Sequence, residues 1–162
     1  MASPTPVSVK HCRTALASTF DGFTSNFEAL LNRLDADHYA DEVLTNPLRV
    51  ENHLKSLEGE TGLMIFNIQN HGALLNMAGK TRKAKQYVIG NPLVAIRMTA
   101  HDIRAALYAP LRIAVYEDVG GAAIVEYDLP SSLFGQFGND EVLAAAEGLD
   151  EKLLHAIMSA DR

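Results

Sequence analysis

The stretch over 86–133, QYVIGNPLVAIRMTAHDIRAALYAPLRIAVYEDVGGAAIVEYDLPSSL, constrains the fold of this chain more than any other. An apolar run ends at Gly90-Asn91-Pro92. Asn91 reads as a helix cap and Pro92 as a first-turn proline, tolerated because an N–H at that position has no intrahelical partner. Val94 and Met98 fall on one buried side. Thr99 and Asp102 have the spacing of a capping box, which predicts a break and a restart through Ile103 and Leu107. Pro110 ends the helical segment, and Leu111, Ile113 and Val115 then alternate with Arg112, Ala114 and Tyr116 as a half-buried strand does. Gly120-Gly121 is a hairpin turn into a second strand over 122–128.

The flanks repeat the same vocabulary. Val7 to Ser18 alternates as a first strand, and the Asp21-Gly22 pair reads as a turn. Thr24 or Ser25 is then expected to cap a helix with Phe27, Leu30, Leu31 and Leu34 on one face. After a polar loop, Asn46-Pro47 opens a helix that runs to about Leu57. Gly62 to Ile68 is apolar at nearly every position, as in a strand covered on both faces. Asn70-His71-Gly72 breaks it, a helical turn over 73–77 stops at Gly79, and 80–85 is a basic loop before a strand over 86–89. Asn139 caps a last helix on which Val142, Ala146, Leu149, Leu153 and Ile157 share a face. This order predicts an α+β fold: a mostly antiparallel sheet with helices packed on one face, in a single domain over 7–158 that carries an inserted helical segment at 36–60.

Composition narrows the functional classes. A chain of 162 residues, 48% hydrophobic and 21% charged, is long enough to bury a core without staples. Cys12 is the only cysteine, so neither an intrachain disulfide nor a multi-thiolate zinc site is available. A formal net charge of −6 gives no electrostatic reason to expect a nucleic-acid partner. No apolar run reaches the roughly 18 residues of a membrane span. Met1 to Pro6 lacks the basic-then-apolar pattern of a secretory signal, and a cytoplasmic protein is the expectation.

Several short motifs occur in a fixed order: Asn70-His71-Gly72-Ala73, Ile89-Gly90-Asn91-Pro92, Leu107-Tyr108-Ala109-Pro110-Leu111-Arg112, Val115-Tyr116-Glu117-Asp118 and Tyr127-Asp128-Leu129-Pro130-Ser131-Ser132. Together they resemble the domain-of-unknown-function family numbered three hundred and two, over roughly Phe20 to Met158. The resemblance implies a compact α+β domain of TATA-box-binding-protein-like architecture, often dimeric, and that architecture does not imply DNA binding. Two departures stand out. Asn70 occupies a position where the family often has Asp, and the segment over 36–60 is longer than usual.

His71, at the end of an apolar strand, is the leading candidate for proton transfer, against the plainer reading of a turn histidine. Asn91 is a candidate orienting amide, although capping alone explains its position. Tyr116 and Tyr127, on adjacent strands with Glu117 and Asp128, are candidate ligand-binding groups. Lys80, Arg82, Lys83 and Lys85 read as a solvated loop. None of the six histidines has short ligand spacing to another, so neither a metal site nor a cofactor is expected, and metal or haem binding through His71 ranks last.

The leading expectation is a small-molecule-binding protein, with a cofactor-independent acid–base enzyme using His71 as one form of it and enzymatic activity itself left open. The alternative is a non-enzymatic homodimeric interaction protein. The dimer is expected through sheet surface, because Met64, Phe66 and Ile68 oppose Leu63 and Ile65, and Ala123 and Val125 oppose Ala122 and Ile124, giving two apolar faces. His71 and Asn91 share a cleft only if their strands run in the same sense. In antiparallel neighbours they cannot meet within one subunit.

Overall fold

The structure, a computed structural model, describes residues 3–35 and 41–162. Its strands are β1 (His11–Thr19), β2 (Asn32–Arg33), β3 (Met64–Gln69), β4 (Ala84–Gly90), β5 (Leu111–Glu117) and β6 (Ala122–Asp128). They form one sheet in the order β1-β6-β5-β4-β3-β2. Every pairing is antiparallel except the short β2–β3 one. The helices are α1 (Phe20–Leu30), α2 (Glu42–Thr45), α3 (Pro47–Leu57), α4 (His71–Leu75), α5 (Pro92–Thr99), α6 (Pro130–Phe134) and α7 (Asp140–Ala160), with short 3₁₀ turns between some of them. The α+β class and the mostly antiparallel sheet are as expected. Among the described residues no helix is long and apolar enough to cross a membrane.

One face of the sheet carries the main core. Ile65, Tyr87, Ile89, Ile113, Val115, Val125 and Tyr127 point to it and meet α1, α5 and α7. All five residues expected on the buried face of the last helix are buried there. Each valine, leucine and isoleucine among them contributes about 1.5–3 kcal/mol on leaving water. Phe23 stacks on Phe27 at 5.4 Å, and Phe27 meets Tyr87 edge-on at 5.3 Å.

Local deviations from the sequence reading have identifiable causes. Helix α1 is capped by Thr19, whose hydroxyl accepts from the Gly22 N–H, and not by Thr24 or Ser25. Asp21 and Gly22 lie in its first turn, where an acidic residue suits the helix N-terminus. Burial of Phe20, Phe23 and Phe27 along one stripe outweighs the turn signal of Asp-Gly. Past α5 the chain restarts as expected, but Asp102 alone is the cap, accepting from the Arg104 N–H, while the Thr99 hydroxyl donates to the Ala95 carbonyl.

The second face is not apolar throughout. A bulge between Ile65 and Asn67 resets the alternation of β3, so Ile68 joins Ile65 on the core side, while Met64 and Phe66 pack in a second cluster on the other. Helix α3 covers Met64 with Val50 and Leu54, beside Leu34, so this helix is an exception to packing on one face. Asn46 caps α3 and Pro47 opens it, as expected. Of the expected inserted segment, 42–45 and 47–57 are helical, and 36–40 lies outside the described residues. The β1–β6–β5 side of this outer face is polar, with His11, Arg13, Tyr116, Glu126 and Asp128. The apolar second face invoked for self-association is therefore reduced to the patch under α3 and to Ile124, which is buried opposite Tyr116.

The basic loop is pinned as well. Lys83 pairs with Asp21 at 2.5 Å and Glu117 at 3.3 Å, and Lys85 with Glu28 at 2.7 Å. The Tyr87 hydroxyl donates to Glu28 at 2.8 Å. Burial, then the neighbouring Glu28 carboxylate, pushes the Tyr87 phenol well above its ordinary range. Burial raises the Glu28 carboxyl, but the bonds from Lys85 and Tyr87 outweigh it and hold it below the ordinary value.

Candidate functional site

Strand polarity decides which residues can meet. Because β4 is antiparallel to both β3 and β5, its last residue Gly90 shares one end of the sheet with the start of β5 at Leu111. The end of β6 at Asp128 and the start of β1 at His11 lie there too. The end of β3 at Gln69 pairs with Gln86, near the opposite end.

His71 is at that opposite end. It is the first residue of α4, exposed, and among the described residues its ring has no hydrogen bond or ion pair. Its neighbours in the motif have structural roles: Asn70 accepts from the Ala73 N–H at 2.9 Å, and Gly72 is buried against the Arg82–Ala84 backbone. Asn91 is 4% exposed and caps α5 through its Oδ1, which accepts from the Leu93 N–H at 2.8 Å. Its Nδ2 donates to Glu58 Oε1 at 2.7 Å and to the Gly62 carbonyl at 3.0 Å. The amide is thus a clamp joining the end of α3, the Gly62 turn and the start of α5. A cleft shared by His71 and Asn91 within one subunit is excluded by the antiparallel β3–β4 pairing.

Tyr116 and Tyr127 do not converge either. Tyr127 is on the core side, buried, with its phenol pushed up to about 12, chiefly by burial and then by the adjacent Cys12. Tyr116 is on the outer face, where its hydroxyl donates to Glu126 Oε1 at 2.5 Å and Arg13 Nε lies 3.4 Å from it.

The outer face holds a polar array in which Tyr116 and Asp128, named from the sequence, are joined by His11, Arg13 and Glu126, which sequence reasoning missed. His11 stands between two carboxylates, with Nδ1 2.9 Å from Asp128 Oδ1 and Nε2 3.2 Å from Glu126 Oε2. Arg13 Nε lies 3.2 Å from Glu126 Oε1. The bonds to Asp128 and then Glu126 raise the imidazole above its free value of 6.5. The bond from Tyr116, assisted by His11 and Arg13, holds the Glu126 carboxyl below its usual range against the opposing effect of desolvation. A histidine pKa raised by folding contributes stability in full below the free value, and that contribution fades as pH rises through the folded value. We therefore expect the His11 imidazole, followed by NMR, to titrate with a midpoint above 6.5. Thermal stability should fall from about pH 6 to pH 8 in wild type and less in His11→Gln. A midpoint at or below 6.5 contradicts the bridging geometry.

Three cavities surround the segment over 108–112 at the Gly90–Leu111 end of the sheet. The first, about 170 Å³, is bounded by Phe66, Gly90, Asn91, Pro92, Ala95, Met98, Ala109, Pro110, Leu111, Phe134 and Leu149. The second, about 190 Å³, lies among Tyr108, Leu111, Arg112, Asp128, Leu133 and Leu153. The third is a groove of about 680 Å³ between residues 5–8 and Lys10 on one side and Arg104, Tyr108, Ser131, Ser132 and Phe137 on the other. Tyr108 separates the last two and is held by the rings of Phe134 at 6.2 Å and Phe137 at 6.0 Å. Arg104 lies over Phe137 at 5.1 Å and is bonded to Asp102. Another cavity, about 430 Å³, lies among Leu34, Asp35, Glu42, Arg49, Val50, His53 and Leu57. Among the described residues no group of three or more His, Cys, Asp or Glu is arranged to hold a metal ion.

The segment at the centre of these cavities is one of the motifs that carried the family resemblance. No protein of curated function matches the sequence. The fold is similar to the crystal structure of an uncharacterized conserved DUF302 protein from Bacillus stearothermophilus, with a TM-score of 0.66 at 14% identity, over 94% of this chain and 98% of that one. The family pattern for the domain of unknown function DUF302 matches residues 42–160, from α2 through α7, and the chain belongs to that family.

Proposed function

We propose that this protein binds a small molecule at the end of the sheet where β4 ends and β5 begins. The observation that carries this reading is the convergence of three cavities on the segment over 108–112. Binding sites favour concave, largely apolar pockets with a few polar groups at the rim. Here the inner cavity is apolar, and Arg112 and Asp128 stand at the edge of its neighbour. His71 lines none of the three, so proton transfer by that residue has no enclosed ligand to act on in this subunit. Native mass spectrometry of the protein purified from its own host tests the proposal. Wild type should carry a co-purifying mass, lost on denaturation, that is absent from Ala95→Leu, a variant that narrows the inner cavity. Retention of the same mass by a folded Ala95→Leu, or a bare chain mass for wild type after equilibration with host metabolite extract, contradicts it.

A further inference from the structure

We infer that the inner cavity takes an uncharged, apolar group about the size of one six-membered ring; the inference rests on the binding reading above. Asn91 is the only residue bounding the cavity whose side chain can form hydrogen bonds through N or O. Its oxygen already accepts from the Leu93 N–H, and its two amide protons are directed to Glu58 and the Gly62 carbonyl. Pro92 and Pro110 have no N–H to offer, and Gly90 is paired with Met64 in the sheet. A polar ligand atom turned toward these walls finds no free side-chain partner in exchange for its water, and a charged one loses more.

Size points the same way. The volume of about 170 Å³ is close to that of apolar cavities known to admit benzene, and this one opens to solvent where Pro110 is exposed. Gly90 sets one wall. A Cβ there would stand 3.4 Å from Phe66 Cε2 and 3.5 Å from Pro110 Cβ, in ordinary contact, so alanine takes ligand space without colliding with the backbone.

The test uses the full chain and three probes of equal shape: toluene, benzoate and benzylammonium. Toluene should shift the backbone amide resonances of Gly90, Ala95 and Leu149 saturably, while the two ions leave them in place. Gly90→Ala should weaken toluene binding at least fivefold without lowering the melting temperature. Benzoate or benzylammonium shifting these amides as strongly as toluene overturns the ligand class but leaves the site standing. Undiminished toluene binding by Gly90→Ala overturns the assignment of that wall. If none of the three probes moves these amides, both the ligand class and the underlying binding site are wrong.

Discussion

Replacing Gly72 with alanine should destabilise the protein by about 3 kcal/mol, the upper end of what overpacking usually costs. The melting temperature should then fall by roughly 6–12 °C for a chain of this size. The reason is backbone proximity. A Cβ on Gly72 would stand 2.3 Å from the Arg82 carbonyl oxygen and 2.8 Å from the Ala84 nitrogen, and neither can rotate away as a side chain can. Helix propensity argues for the opposite sign, since alanine in a helix is favoured over glycine by about 1 kcal/mol. Gly72 has no positive φ, so close approach alone is being tested. Chemical denaturation showing an unchanged or more stable Gly72→Ala would mean that α4 does not lie against the start of β4 as described.

Asn91→Ala should also cost about 3 kcal/mol, well beyond the roughly 1 kcal/mol of a lost helix cap. The added cost, about 1–3 kcal/mol, comes from the Gly62 carbonyl and Glu58 Oε1, which lose the donors that meet them beside the buried amide. Asn91→Ser, which keeps a capping oxygen, should recover about 1 kcal/mol of the loss. Asn91→Asp keeps the cap too, but sets a carboxylate against Glu58 and the Gly62 carbonyl. It should be as damaging as alanine at neutral pH and less so as the pH falls toward about 4, where the new pair can share a proton. Denaturant midpoints for the three variants decide this. An aspartate variant as stable as wild type at pH 7 contradicts the clamp.

These variants show where the sequence was readable. Asn91-Pro92 and Asn46-Pro47 were legible as helix starts because a cap and a first-turn proline act within a few residues. The β5–β6 hairpin was legible for the same reason, with Gly121 at φ 86°. The bulge at Phe66 was not, since a run apolar at every position but Asn67 gives no sign of where alternation resets. The start of α1 was misplaced because Asp21-Gly22 is a turn signal only if the phenylalanine stripe around it is left unburied.

The site was harder to read, because it depends on which strands are neighbours. His71 and Asn91 both follow apolar strands, yet the intervening chain returns antiparallel and sends them to opposite ends of the sheet. His11 and Asp128 are 117 residues apart in sequence and meet only because β1 pairs with β6 at the sheet edge. No local pattern encodes that pairing. What survives of the Asn70-His71-Gly72 motif is mainly architectural, a cap and a close approach.

The central claim is the position of the binding site, and its most direct test is the map of backbone amide shifts between the protein as purified with its small molecule and the same protein stripped of it. The account predicts the largest changes at Gly90, Ala95, Tyr108, Leu111 and Phe134. Changes concentrated instead at His71, Leu74 and Ala84, at the other end of the sheet, would contradict it.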